Sequence, residues 1–346
     1  MTEKKSRPTS NLPTMQDVAK LAGVSHSTVS RVLSQNATSI RISEETRQKI
    51  LDAVEQLNYQ PNMIARSLRT QHMQMIAVMI GDISNAFYHP IVRGIQDFTD
   101  QHDYEVLISN SDHIYEHERR FLNASLRRPV DGIIMAPHCL TSEDLDTFIK
   151  HSRVPIVALG AQVDHPSIDV VGGTSEPATY EAVKWLIEVK GHRRIGFIST
   201  LNQMPPGPSR VRGYMRAMEE AGLTIEPNFI QQGEFTIEGG HHGMRAFIQH
   251  GKLPTAIFAA NSLMAIGAIL EAKAAGLQVP EDVGVMGFDD IPEATIISPP
   301  LTIVRRDLRQ IGRQLAEILF DRIEGKVTGP GRFFQSDWKL VIRGSI

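Results

Sequence analysis

Between Ser25 and Ser34 the sequence sets His26, Ser27, Ser30, Arg31 and Ser34 on one side of a short helical repeat, with Val29, Val32 and Leu33 on the other. Imidazole, hydroxyl and guanidinium groups on one face can exchange hydrogen bonds with base edges, and Arg31 can take guanine O6 and N7 as a bidentate pair. A short helix with a polar, partly basic outer face is the form that enters a major groove. The other chemistry-bearing residues do not assemble into a catalytic set. His241 and His242 are adjacent, so they point about 100° apart on a helix and lack the i, i+4 spacing of a helical zinc pair. The single cysteine, Cys139, can form neither an intramolecular disulfide nor a cysteine-rich zinc site, which fits a reducing cytoplasm. No G-x-G-x-x-G follows a strand, and neither G-x-x-x-x-G-K-[ST] nor G-x-S-x-G occurs, so no phosphate cradle or nucleophile elbow is coded. The reading is of a protein that binds, with no catalytic residues, no metal and no cofactor.

The candidate reading helix needs a scaffold, and its neighbours supply one. Thr14 with Asp17 three residues on reads as a capping box, after which Met15, Val18, Ala19 and Ala22 fall at i, i+3, i+4, i+7. Gly23 and Val24 break that helix after two turns, and Ser25 is placed to cap the next. Beyond a loop through Asn36 and Arg41, Ser43 caps a third helix with Ile50, Ala53, Val54 and Leu57 on one face. These three apolar faces suffice for one small core. The connector from Gln60 to Gln71 has fair helical propensity, but about eight residues cannot hold a helix alone in water, so it should fold only when something stabilises it.

From Met73 onward, apolar runs alternate with amphipathic stretches. The runs are Ile76 to Ile80, Glu105 to Ile108, Gly132 to Met135 and Pro155 to Leu159, then Ile195 to Ile198, Ala256 to Ala260 and Val283 to Phe288. Continuous apolar strands between helices imply parallel sheets covered on both faces. Two such series predict two α/β subdomains, and in open sheets of this kind ligands bind beyond the carboxyl ends of the strands. Asp82, Asn261 and Asp289 stand at or just after such ends. A carboxylate at Asp289 can accept two hydrogen bonds from a ligand's hydroxyls, and Asn261 offers both a donor and an acceptor.

Composition agrees with a folded, non-membrane protein. The chain has 346 residues, 41% hydrophobic and 22% charged, which is long enough for two or three cores. No run approaches the roughly 18 apolar residues of a membrane helix, and residues 1–12 read as a polar tail and not as a secretory signal. The near-neutral total hides an asymmetry: residues 1–71 hold ten Lys/Arg against six Asp/Glu, leaving 26 against 33 in the rest. The basic end is the one suited to a polyanion.

The run from Thr14 to Leu33, TMQDVAKLAGVSHSTVSRVL, closely resembles the N-terminal signature of the LacI/GalR repressors. The likeness continues through Tyr59 to Asn62, Ala65 to Leu68, Val130 to Ile134, Gly287 to Asp290, Pro300 to Thr302 and Arg343 to Ser345, so it spans nearly the whole chain. It departs in three places: the loop after Leu33 is about three residues longer than common, Ser34 replaces a usual Asn, and Ser262 follows Asn261 where Asp is frequent.

The resemblance implies an α/β protein with two doubly wound parallel-sheet subdomains, periplasmic-binding-protein-like, behind a small all-α helix-turn-helix DNA-binding domain. Expected boundaries are a tail over 1–12, the DNA-binding domain over 13–60, a hinge helix over 61–72 and an effector and dimerisation domain over 73–346. Within the last, residues 73–172 with 302–328 would form one subdomain, and 173–301 with 329–346 the other. His26 and Ser27 occupy the family's principal base-reading positions, beside Arg31, while Thr28 and Ser30 would position the helix on phosphates or a thymine methyl. Leu68 would wedge into the minor groove, with Asn62 and Ala65 lining its floor. Arg210 matches the family's ligand-binding arginine, whose fork holds paired hydroxyls or a carboxylate with fixed geometry. Phe87, Tyr88 and Phe235 match positions whose rings wall the pocket. Together these imply a cytoplasmic, homodimeric repressor of a near-palindromic double-stranded operator, controlled by a sugar or sugar derivative. A purine-responsive, corepressed regulator stays open as an alternative. A transport-type sugar-binding protein would instead carry a signal peptide and no DNA-binding head, and a dinucleotide enzyme would need the missing glycine turn.

Overall fold

A computed structural model describes residues 13–33, 42–60, 72–128, 130–160, 163, 165–200 and 205–346. The chain divides into two compact units, Met1–Met73 and Gln74–Ile346.

In the first unit, α1 (Met15–Ala22), α2 (His26–Leu33) and α3 (Glu44–Gln56) form a three-helix head. The capping box at Thr14 and Asp17 is present, and Gly23 ends α1 at φ 66°, a left-handed turn that a Cβ would oppose. Ser43 accepts the Thr46 amide at the start of α3. Val18, Ala19, Val29, Ile50, Ala53 and Tyr59 make the core, flanked by Met15, Ala22, Val24, Val32, Leu33, Val54 and Leu57. The i, i+3, i+4 residues read from the sequence therefore do meet. One expectation is corrected here: Ser30 does not share the outer face of α2 but is buried, 8% exposed, because it lies one residue beyond Val29 on the rim of the small core.

The second unit runs β1 (Met75–Ile80), α4 (Tyr88–Thr99), β2 (Glu105–Asn110), α5 (Tyr115–Arg127), β3 (Gly132–Met135), α6 (Ser142–His151), β4 (Ile156–Leu159) and β5 (Asp169–Gly172). It continues with α7 (Ser175–Glu188), β6 (Ile195–Thr200), α8 (Gly207–Glu220), β7 (Ile230–Gly233), α9 (Ile237–Gln249), β8 (Ala256–Ala259) and α10 (Ser262–Ala274). The last part holds β9 (Gly284–Phe288), α11 (Glu293–Ile296), β10 (Thr302–Arg305), α12 (Leu308–Ile323), β11 (Phe333–Gln335) and β12 (Lys339–Val341). Two six-stranded sheets result, ordered β2-β1-β3-β4-β5-β11 and β7-β6-β8-β9-β10-β12. Every pairing is parallel except β10 with β12.

The continuous apolar runs follow from burial on both faces. Ile76, Val78 and Ile80 enter one core with Ile134, Val157 and Val171, while Ala77 and Met79 enter another with Ile133, Met135, Ala158 and Val170. A period-2 side-chain alternation with apolar partners above and below leaves no polar position. Helices α4 and α12 approach very closely: a Cβ on Gly94 would lie 2.0 Å from the Arg309 carbonyl, and one on Gly312 would lie 2.0 Å from that of Ile91.

The subdomain boundaries differ from those expected. Thr302–Arg305 belongs to the second sheet, pairing Thr302 with Met286 of β9, and Phe333–Gln335 belongs to the first, pairing Phe333 with Val170 of β5. The chain leaves the second sheet only at Arg306, where Asp307 caps α12 by accepting the Gln310 amide at 3.0 Å. It thus passes between the sheets three times: from β5 to α7, from β10 to α12 and from β11 to β12. A buried carboxylate anchors the returning β11 segment. Asp169 takes Arg322 Nε at 2.9 Å, Arg322 Nη2 at 2.8 Å and the Arg332 amide at 2.7 Å. Burial pushes its carboxyl upward, but the hydrogen bonds from Arg322 and Arg332 outweigh this and hold it at about 2.

Candidate functional site

On the head, His26, Ser27 and Arg31 are exposed along α2. The Ser25 hydroxyl lies 2.8 Å from those of both Ser27 and Thr28 and accepts the Thr28 amide at 3.2 Å. The helix therefore starts in a knot of three hydroxyls at its positive end, a combination suited to phosphate oxygens. Val29 turns inward, fully buried, and fixes how the His26 to Arg31 face is presented. Ser34, Asn62, Ala65 and Leu68 fall outside the described residues.

In the second unit, a cavity of about 80 Å³ opens where the carboxyl ends of both sheets meet. Its described lining comes from the segments after successive strands: Phe87 and Tyr88 after β1, His113 after β2, His138 after β3, Pro206 after β6 and Phe235 after β7. Asn261 and Ser262 follow β8, Phe288 and Asp289 close β9, and Arg306 follows β10. A wider cavity of about 380 Å³ shares Phe87, Tyr88, His138, Pro206 and Arg306 with it. Parallel strands deliver their following loops to one end, which is why residues far apart in sequence converge.

At the centre is a charged cluster with almost no solvent contact. Arg210 is 2% exposed and Asp289 4%. Arg306 donates from Nε to Asp289 Oδ1 at 2.7 Å and from Nη2 to Oδ2 at 2.9 Å, while Arg210 Nη2 reaches Oδ2 at 3.3 Å. Arg210 Nη1 donates to the Ala260 carbonyl, and its Nε is buried with no partner. The guanidinium carbon lies 3.7 Å from the centre of the Phe288 ring, a cation–π contact that offsets part of the lost hydration. Burial draws the Arg210 pKa down to about 10 against the pull of Asp289, so it stays charged at neutral pH.

Asp289 sits at φ 69°, a left-handed conformation uncommon for a residue with a Cβ. Ser262 helps hold it there: its hydroxyl, 2% exposed, donates to the Phe288 carbonyl at 3.1 Å and to that of Asp289. The serine that departs from the common pattern thus supports the turn carrying the pocket carboxylate. Asn261 caps α10, taking the Met264 amide on Oδ1 at 2.8 Å and donating to the Phe235 carbonyl at 3.3 Å.

The opposite wall is imidazole and phenol. His113 and His138 meet edge to face with ring centres 4.2 Å apart. His138 Nδ1 lies 3.1 Å from the Ala136 carbonyl, and burial with the neighbouring His113 brings its pKa down to about 3. Burial also lowers His113, so both rings are neutral near pH 7. Tyr88 is raised by burial, against a hydrogen bond from the Gly81 backbone.

Of the residues expected in the pocket, Phe87, Tyr88, Arg210, Phe235, Asn261 and Asp289 line the cavity and Asp82 does not. Asp82 closes its own turn, accepting the Ser84 amide at 2.8 Å and its hydroxyl at 2.6 Å, as a short acidic side chain at a strand end commonly does. Sequence reasoning missed Asn85, His113, His138, Pro206 and Arg306. Arg306 is the second of two arginines after the Leu301 to Val304 run, and nothing local singles it out from Arg305; the histidines lie three residues beyond their strand ends.

Residues 14–62 match the family profile "Bacterial regulatory proteins, lacI family", and residues 186–346 match "Periplasmic binding protein-like domain". The chain is 36% identical over 333 residues to catabolite control protein A of Priestia megaterium, covering 96% of this chain and 98% of that one. It is 32% identical over 335 residues to the HTH-type transcriptional repressor PurR of Photobacterium profundum, covering 97% and 99%. Among solved structures it resembles a CelR–cellobiose complex, with 30% identity, TM-score 0.71 and coverage of 96% and 99%. A Lac repressor bound to ONPG gives 27% identity, TM-score 0.84 and coverage of 96% and 99%. No helix among the described residues is long and apolar enough to cross a membrane. A helix-turn-helix head, two parallel sheets that meet at a buried arginine–aspartate cluster, and relatives matching from end to end agree: this chain belongs to the lacI family of bacterial regulatory proteins.

Proposed function

We propose that this lacI-family repressor works in the cytoplasm as a homodimer, reads a near-palindromic operator with His26, Ser27 and Arg31 of each head, and binds its effector against Arg210, Phe87, Tyr88, Phe235, Asn261 and Asp289. Thr28 positions the reading helix through a phosphate, and Ser30 does so only from beneath, through its place in the head core. The carrying observation is that one cavity is lined from both sheets, by Phe87, Tyr88 and His138 after strands of the first and by Arg210, Phe235, Asn261 and Asp289 from the second. A ligand touching both walls has different contacts when they close, and that difference is what can bias a DNA-binding equilibrium. A sugar or sugar derivative suits aromatic walls beside guanidinium and amide groups, and the CelR relative is named as a cellobiose complex. A purine is the second reading, supported by the aromatic walls and by the relatives named PurR.

The test has two parts. Selection of bound duplexes from a random pool should return a two-fold-symmetric sequence, and mobility shifts on random DNA should weaken steeply with salt. Arg210→Ala should keep operator binding and lose its response to ligand. An asymmetric product, or no binding at low salt, would refute the repressor reading; retained ligand response in the variant would refute the pocket.

A further inference from the structure

We infer that the effector is an anion, a sugar bearing a carboxylate or a phosphate, whose charged oxygens are received by Arg210 and Arg306. This rests on the assignment of the cleft as the effector site and specifies the charge of its occupant.

The first ground is the charge count. The ionisable groups lining the cavity are Arg210, Arg306, Asp289, His113, His138 and Tyr88. With the rings neutral, two guanidinium groups and one carboxylate line the cavity, so the lining itself carries one positive charge in excess. Glu118 lies behind His138 and takes three backbone amides, Asp82 is turned to Ser84, and Asp290 pairs with Arg343 at 2.7 Å. Two buried guanidinium groups that share one carboxylate are short of acceptors, and a ligand oxyanion would add one to the lining.

The second ground is hydrogen-bonding capacity. Asp289 receives two bonds from Arg306 and one from Arg210, so its Oδ2 is filled and it can do little for a sugar's hydroxyls. The expectation that Asp289 accepts two hydrogen bonds from a ligand's hydroxyls is revised accordingly: it aligns the two arginines. The vacant capacity is in donors. Arg210 Nε is buried and unpartnered, and Arg306 engages Asp289 through Nε and Nη2, which leaves Nη1 unused by that pair. Two guanidinium groups locked side by side form a receptor for paired oxygens of one negative group.

A third, independent feature adds to the field. Helices α4, α8 and α10 all start at the cavity, through Tyr88, Pro206 and Ser262. Each start carries roughly half a positive charge from aligned peptide dipoles. The aromatic rings of Phe87 and Phe235 remain for the apolar face of the sugar.

The full-length protein is titrated at fixed ionic strength with D-glucuronate, D-gluconate and glucose 6-phosphate, and with uncharged D-glucose, cellobiose and hypoxanthine, following melting temperature and operator mobility shift. At least one anion should raise the melting temperature with all uncharged compounds weaker; response to glucuronate or gluconate alone assigns a carboxylate, and to glucose 6-phosphate alone a phosphate. Arg306→Gln, which keeps the Asp289 hydrogen bond feasible, should weaken the anion by about tenfold or more. Arg210→Ala should abolish it. No response to any of the three anions, or tighter binding of an uncharged compound, overturns the inference. An uncharged ligand that is lost in Arg210→Ala does so while leaving the cleft as the effector site. Anion binding that survives in both variants overturns the cleft assignment itself.

Discussion

The Glu118 carboxylate, completely buried, accepts the His138 amide at 2.8 Å, and its second oxygen takes the amides of Cys139 and Leu140 at 3.0 and 2.9 Å. One side chain of α5 thereby satisfies the turn that presents His138 to the cleft. Glu118→Ala leaves three half-buried donors without their partner, each worth about 1–3 kcal/mol at most. We expect a loss of roughly 3–5 kcal/mol in urea unfolding. A change below about 1 kcal/mol would mean that water replaces the carboxylate.

The head should be separable in its failure. Ile50 is fully buried in a core made only of head residues. Ile50→Ala should cost about 2–4 kcal/mol, most of what so small a core can supply. Calorimetry should then show the head transition lost, with operator binding, while the transition of the larger unit keeps its temperature.

Asp169 predicts an acid-sensitive increment of stability. Its folded carboxyl, at about 2, lies below its ordinary value, so the contribution is complete above about pH 4 and is lost as pH falls through 2. Asp169→Asn should flatten the pH dependence of unfolding in that window. At pH 7 it should also destabilise by about 3 kcal/mol, since two arginines lose their shared partner.

Gly81 is required by the cavity wall. A Cβ there would come within 2.2 Å of His113 Cε1 and 2.8 Å of the Tyr88 hydroxyl. Gly81→Ala should displace the His113 ring and weaken effector binding about tenfold or more, with operator affinity in the absence of ligand unchanged. Paired calorimetric and mobility-shift titrations check this.

Leu68→Ala, in the connector, should weaken binding to the selected operator well beyond its effect on random duplex, since a minor-groove wedge acts only where the duplex is kinked. Equal loss on both would refute the wedge.

What the sequence made legible depended on how local the determinant is. The head was readable because Thr14, Gly23 and Ser43 punctuate helices whose inward residues are near neighbours. Strands such as Ile76 to Ile80 were readable because two-sided burial makes them wholly apolar. β7, with Gln231 and Gln232, and β11, with Phe333 and Gln335 exposed, gave no such run, because they lie at or near sheet edges where one side needs no apolar partner. Arg306 escaped notice because its role depends on where the chain changes sheets, and nothing local marks Arg306 and not Arg305 as the residue that turns inward. Asp82 was wrongly placed for the converse reason: a strand end says where a side chain starts, and the Ser84 amide two residues on decided where it ended.

The three passages between sheets also constrain how such a receptor can be inherited. Neither lobe corresponds to one uninterrupted stretch of gene, so a single recombination event near residue 173 would separate β1–β5 from the α12 helix and β11 strand that complete their layer. Exchanging half of the receptor with a cousin would therefore make each lobe a hybrid across its own core, whereas replacing side chains around the cavity leaves both cores as they are.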